Sequence, residues 1–270
     1  MSRRPLTVFF ALAFVLPWSV WGTALAEQAG WTSWHVPAPL AFWLGLPIAS
    51  FGAAALTGGR AAVVDLLRRM VRLRVGAGWY ALALLTTPVL LLVTAGVVWL
   101  VGRPLEAAFA GPGQLVGLLA FNAWMWLLTE EAAWRGFALP RMIPRFGAVT
   151  ASLLLGVIWA LWHLPLFALA GSFQAQLPFA AFALSTIASS MLIGWLFDGS
   201  GGSVVIAALF HASADVGIGL SGVMTSGAGS LWVFVCLQLV AAGVATWWLG
   251  SRRRRPADSI EPCIVPPRFN

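Results

Sequence analysis

With 270 residues, 60% of them hydrophobic and 9% charged, and a mean hydropathy of +0.87, the chain has too few polar side chains to coat a water-soluble globule. Its 16 basic against 9 acidic residues give a formal charge of +7, but the basic groups are all arginines at the edges of long apolar runs, which marks membrane topology and excludes a nucleic-acid partner. Two cysteines, Cys236 in an apolar run and Cys263 near the C-terminus, exclude a disulfide framework and a cysteine metal cluster.

A helix needs roughly 20 apolar residues to cross a hydrocarbon core about 30 Å thick. Eight runs qualify, at 6–26, 39–57, 79–101, 115–134, 148–169, 178–197, 203–221 and 231–250. The expected fold is therefore all-α, a polytopic transmembrane helical bundle of about eight spans forming one membrane-embedded domain over 1–250. The first run ends in Ala24-Leu25-Ala26 before Glu27, as a cleaved secretory signal would, but its length and Pro17, Trp18 and Trp21 favour a retained helix. Residues 60–74 set Val64, Leu67 and Val71 on one helical stripe with Arg68 and Arg72 near another, which suits either a helix lying in the interface or a basic loop that fixes topology. Sixteen Trp fit interface anchoring and helix packing. The tail 251–270 carries four prolines and little apolar content, and is expected to be disordered.

Counted on alternate loops, one side receives Arg3, Arg4, the five arginines of 60–74, Arg141, Arg145, the run 252–255 and Arg268, and the other receives Arg103. The positive-inside rule then places both termini in the cytoplasm, with the bundle in the plasma membrane.

An ionisable group at mid-bilayer costs about 2.5–3.5 kcal/mol on insertion scales, so each one inside a span calls for a partner or a task. Those that qualify are Glu130, Glu131 and Arg135 at the end of the fourth run, His163 in the fifth, Asp198 at the end of the sixth, and His211 with Asp215 in the seventh. Asp198, beside Gly199, reads as a loop acid at a helix end. Glu131 and Arg135 are four apart and share a helical face, so they can neutralise each other. Glu130 points about 100° away and has no sequence-local cation. His211 and Asp215 are one turn apart and can converge on one point, as metal ligands or as a hydrogen-bonded helix lock.

Taken together, Glu130, His163, His211 and Asp215 come from three spans. His163, His211 and Asp215 could hold zinc or another divalent cation while Glu130 acts as general base. Without metal, Glu130 could activate water while the histidines and Asp215 position or polarise a scissile carbonyl. Both routes lead to hydrolysis. In depth, Glu130 and His211 lie roughly 6–12 Å from the cytoplasmic ends of their spans and His163 about two turns deeper.

These residues resemble the motifs of the CPBP family, the intramembrane CAAX prenyl proteases and bacteriocin-processing enzymes also called the Abi family. Glu-Glu-x-x-x-Arg stands as Glu130, Glu131 and Arg135, followed by Gly136. Phe-x-x-x-His stands as Trp159 to His163, and His-x-x-x-Asn or Asp as His211 to Asp215. The resembling core covers about 115–220. The resemblance implies a membrane endopeptidase acting on a peptide or membrane-protein substrate near the cytoplasmic face. Glu130 would activate water, assisted by His163, His211 and Asp215, with Glu131 and Arg135 in support. Trp159 for Phe reads as a harmless change of aromatic size, and Asp215 in place of an Asn favours a nearby cation. Two alternatives use the same residues: a proton- or cation-coupled transporter, and a non-catalytic scaffold or immunity protein of the same fold.

Overall fold

With no water in a bilayer core, the backbone of a spanning segment must satisfy its own hydrogen bonds, so long apolar runs fold as helices. The computed structural model describes residues 4–103, 105–108, 110–224 and 226–253, and among these it is all-helical. Nine α-helices follow in order: α1 (Arg4–Gln28), α2 (Leu46–Met70), α3 (Ala77–Leu100), α4 (Pro112–Leu128), α5 (Leu139–Phe146), α6 (Ala148–Trp162), α7 (Phe179–Gly199), α8 (Val204–Ser221) and α9 (Ala228–Arg253). Within the described residues, six rods are long and apolar enough to cross a membrane: α1, α3, α7, α8, α9 and the unit Ala41–Met70, in which a π-helical turn leads into α2. At 17 and 15 residues, α4 and α6 are shorter. Each is continued by a non-α turn, so eight rods stand where eight spans are expected, and α5 is a short connector.

Three departures from the expected spans have physical causes. The second rod runs on to Met70 instead of ending at 57, bending at Gly59, whose φ of +60° interrupts the helix. Residues 60–70 of the basic stretch are therefore helical, while 71–74, with Arg72 and Arg74, form the turn and loop that follow. Leu66 and Met70 turn inward while Leu67 and Val71 face out, so the exposed apolar stripe matches one expected of an interfacial helix. The fourth rod breaks at Thr129, and the fifth ends at Trp162 because Pro165 cannot continue an α-helix. At the C-terminus, Ser251–Arg253 complete α9, whereas 254–270, the rest of the expected tail, lie outside the described residues.

Lipid gives helices no hydrophobic reason to associate, so close packing and interhelical hydrogen bonds must do it. On α6 and α7 the device is glycine. A Cβ on Gly156 would stand 2.9 Å from the Ile187 backbone, and one on Gly194 would strike the Ser152 hydroxyl. Beside them the Ser190 hydroxyl donates to the Ser152 carbonyl (2.9 Å). Ser213 ties the central helix α8 to α3 through the Leu84 carbonyl (2.8 Å), and Gln238 ties α9 to α7 through Ser185 (2.5 Å) and Ser189 (3.3 Å). Helix α1 is part of this core. Phe9, Ala13 and Trp21 are buried, and the Trp162 indole donates to the Ala13 carbonyl (2.8 Å).

The arginine-rich segments meet at one end of the bundle. Arg72 Nη1 donates to the Gly201 carbonyl (2.6 Å) and the Ser203 hydroxyl to the Arg72 carbonyl (2.7 Å), which clamps the basic end of α2 onto the α7–α8 turn. Arg141 of α5 lies within electrostatic reach of Asp65 and Arg69. The tryptophans divide between two tasks. Trp31, Trp34, Trp99 and Trp247 are exposed near rod ends, as interface anchors should be, whereas Trp21, Trp134 and Trp162 form part of the core.

Gly194→Val should lower the thermal unfolding midpoint in detergent, reflecting an overpacking cost of about 1–3 kcal/mol. Gly243→Val, at a position with nothing within 4 Å of a Cβ, should leave the midpoint unchanged. Equal midpoints for the two variants would refute the close approach of α6 and α7.

Candidate active site

The site is built where the fourth rod stops being an α-helix. Thr129 sits at φ −107°, ψ −92°, outside helical values, and its hydroxyl bonds back to the Met125 carbonyl (2.7 Å). A π-helical turn, Ala132–Ala138, follows, and all of its residues are buried. Such turns interrupt the regular ladder and recur at functional sites. Glu130 and Glu131 lie between the break and the turn. Both are buried, and their side chains diverge toward different helices.

Glu130 faces α6. Its Oε2 accepts from the indole Nε1–H of Trp134, one turn along its own segment (3.2 Å), and from that of Trp159 on α6 (2.5 Å). Glu131 faces α8. Its Oε1 accepts from Arg135 Nη1 (3.0 Å) and meets His211 Nδ1 at 2.8 Å. A carboxylate only accepts, so Nδ1 of His211 carries the proton of this bond. The Arg135 guanidinium also lies over the Trp159 ring, 4.7 Å from its centre. Glu131 Oε2 and Arg135 Nε and Nη2 are buried without a hydrogen-bond partner among the described residues. An acceptor and two donors orphaned side by side are the pattern that buried water satisfies.

His211 is held on three sides. Trp126 stacks on its face, 4.4 Å between centroids at 5° between planes, and Trp159 meets it edge-on at 5.2 Å. With Nδ1 committed to Glu131, Nε2 turns to Asp215 Oδ2 at 3.7 Å. The Asp215 side chain is 41% accessible and marks the open side of the centre.

His163 stands apart. Its Nδ1–H donates to the Trp159 carbonyl (2.8 Å), and its ring is caged by Trp162 at 4.8 Å and Phe182 at 5.1 Å. Among the described residues it makes no hydrogen bond or ion pair with Glu130, His211 or Asp215. The level of His211 is met on α6 by Trp159, one turn earlier, which accounts for the depth mismatch expected of His163.

The expected pairing of Glu131 with Arg135 and the divergence of Glu130 from Glu131 are therefore present. Convergence of Glu130, His163, His211 and Asp215 on one point is only partial. Glu131, expected to pair with Arg135 in a supporting role, is also the partner of His211. Trp159, read as a harmless replacement for Phe, donates a hydrogen bond that Phe could not make, and Trp126 and Trp134 were not singled out. The indole N–H at a position where Phe is usual was a legible signal for Trp159.

As a ligand set, His163, His211 and Asp215 do not fit a divalent cation in this arrangement. With Nδ1 engaged, each histidine keeps Nε2 as its available donor, but among the described residues no hydrogen bond or ion pair joins His163 to His211 or Asp215. Among the described residues no three His, Cys, Asp or Glu side chains gather at metal-binding spacing.

The bundle thus brings a glutamate pair, an oriented imidazole and an accessible carboxylate together at a helix break. Residues 112–217 match the family described as "Type II CAAX prenyl endopeptidase Rce1-like". The chain is also 32% identical, over 88 residues, to the CAAX prenyl protease 2 of Methanococcus maripaludis. That match covers 30% of this chain and 32% of the relative, so the chain spans about a third of the length of the curated relative it matches. The matched segment carries Glu130, Glu131, Arg135, His163, His211 and Asp215.

Removing one partner of the buried Glu131–Arg135 pair strands the other, at a cost of about 3–5 kcal/mol. Glu131→Ala should therefore sharply lower the unfolding midpoint of the detergent-purified protein, and Glu131→Leu with Arg135→Met should recover much of the loss. A double variant no more stable than Glu131→Ala would count against the pair as the main structural role of Glu131.

Proposed function

We propose that the chain is an intramembrane endopeptidase that hydrolyses a peptide bond of a membrane-associated protein or peptide near the cytoplasmic face, with Glu130 as general base. The observation that carries this reading is the setting of Glu130. It is a carboxylate buried in a membrane bundle, in no ion pair among the described residues, held by two indole donors at Oε2 and within electrostatic reach of the oriented His211. A structural carboxylate at such a depth would be neutralised by an arginine, as Glu131 is by Arg135.

In the proposed reaction Glu130 takes a proton from water as the oxygen attacks the scissile carbonyl. It then returns that proton to the departing amine nitrogen as the C–N bond breaks. His211, oriented by Glu131, and Asp215 on the accessible side would position the water or stabilise the developing oxyanion. His163 would act from behind, holding the Trp159 backbone and through it the wall of the site. The proposed steps use no metal, in keeping with the absence of a three-donor cluster among the described residues.

Two features support placing the chemistry toward the basic end. That end is where the arginine-rich segments meet, and His211 lies seven residues into α8 from the same end, about 10 Å along the helix axis. By the positive-inside rule we assign this end, and with it both termini, to the cytoplasm, and the bundle to the plasma membrane. The name of the archaeal relative makes a prenylated CAAX peptide the first substrate to test.

Glu130→Ala and His211→Ala should each reduce cleavage by about 10²–10⁴-fold, the range of a lost general acid–base group, with membrane insertion intact. His163→Ala should also impair cleavage, with a larger loss of thermal stability than His211→Ala. Chelation by EDTA or phenanthroline should leave the rate unchanged. Full turnover by Glu130→Ala would end the assignment, and ion flux in proteoliposomes without any peptide cleavage would point to transport instead.

A further inference from the structure

We propose that Trp159 is a positioning residue for the general base: with Trp134 it occupies Oε2 of Glu130 and so leaves Oε1 to take the proton from water. The inference rests on the reading of Glu130 as base and adds which oxygen acts and what holds it.

Three observations on the site carry it. Both hydrogen bonds to Glu130 fall on the same oxygen, and among the described residues Oε1 accepts none from the protein. The two donors come from different elements, Trp134 from the π-helical turn and Trp159 from α6, so the carboxylate is fixed from two directions. Indole N–H is a donor only and does not titrate in the working range. It can hold an oxygen without competing for the proton that is to be moved.

Trp159 also touches the other motif side chains. Its ring face carries Arg135 at 4.7 Å, its edge meets His211 at 5.2 Å, and its backbone carbonyl accepts from His163 at 2.8 Å. Phenylalanine would keep a ring face and the backbone carbonyl but would lose the N–H. In a site where small misplacements of reacting groups cost rate steeply, losing that bond leaves the carboxylate held from one direction, by Trp134, in place of two. A tryptophan here is therefore part of the machinery of this particular chain.

Trp159→Phe isolates the bond. Its kcat on the cleaved peptide should fall about 10- to 100-fold, the scale of a lost alignment, with KM within about twofold. Trp134→Phe, which removes the longer bond, should fall less. Independently of activity, the indole Nε1–H resonance of Trp159, observed by ¹⁵N-indole NMR in detergent and assigned with Trp159→Phe, should move upfield in Glu130→Ala. The Trp162 indole, bound to the Ala13 carbonyl, should not move.

A Trp159→Phe enzyme with full kcat, or a Trp159 resonance indifferent to Glu130→Ala, would overturn the inference. Should Trp159→Phe fail to fold, the Trp159 resonance is assigned by elimination against the other single Trp→Phe variants, and its response to Glu130→Ala decides the matter. If Glu130→Ala retains cleavage, the general-base reading itself fails, a result distinct from a fully active Trp159→Phe beside an inactive Glu130→Ala.

Discussion

A carboxylate removed from water must be met by donors that the protein supplies, and the centre of this bundle is organised by that requirement. Glu130 and Glu131 are adjacent in sequence, buried, and far too costly to leave unmet. Each is met by a different helix, Glu130 by a tryptophan of α6 and Glu131 by a histidine of α8, with the π-helical turn adding Trp134 and Arg135. The two acids thereby act as a clasp joining the fourth rod to α6 and α8. The pair sits between the break at Thr129 and the π-helical turn Ala132–Ala138, where the fourth rod leaves its regular path.

Close packing elsewhere serves to hold that clasp in register. Helix α6 brings both Trp159 and His163, and its position is set by the glycine contact with α7 and by the Trp162 hydrogen bond into α1. Helix α8 brings His211 and Asp215, and its position is set by Ser213 against α3 and by the clamp between Ser203 and Arg72. These ties are polar or steric, as they must be among helices whose apolar faces lipid would solvate equally well. The same logic explains two indoles in the core: Trp159 and Trp162 fill volume while their N–H groups tie α6 to the fourth rod and to α1.

Much of this was readable from residue order alone, for identifiable reasons. Rod number followed from apolar run length, because length is what the bilayer demands. The Glu131–Arg135 pair followed from an i,i+4 spacing that survives the π-helical turn. What spacing could not give was partnership across rods. Glu131 with His211 spans 80 residues of sequence and Trp159 with Glu130 spans 29, and no periodicity relates them. The extension of α2 to Met70 was hidden for another reason: its arginines ended the apolar run while the backbone stayed helical.

Trp159 shows how a family pattern can mislead when it is read by size. Grouped with Phe as a bulky aromatic, it is a filler; considered as a donor, it meets Glu130, Arg135 and His211 at once, while its carbonyl fixes His163. His163 makes the converse case. By composition it belongs with the ionisable groups, yet its proton on Nδ1 goes to a backbone carbonyl and its ring to an aromatic cage. The chemistry of the centre thus divides by hydrogen-bond geometry and not by residue class, with the indole inside the clasp and one imidazole behind it.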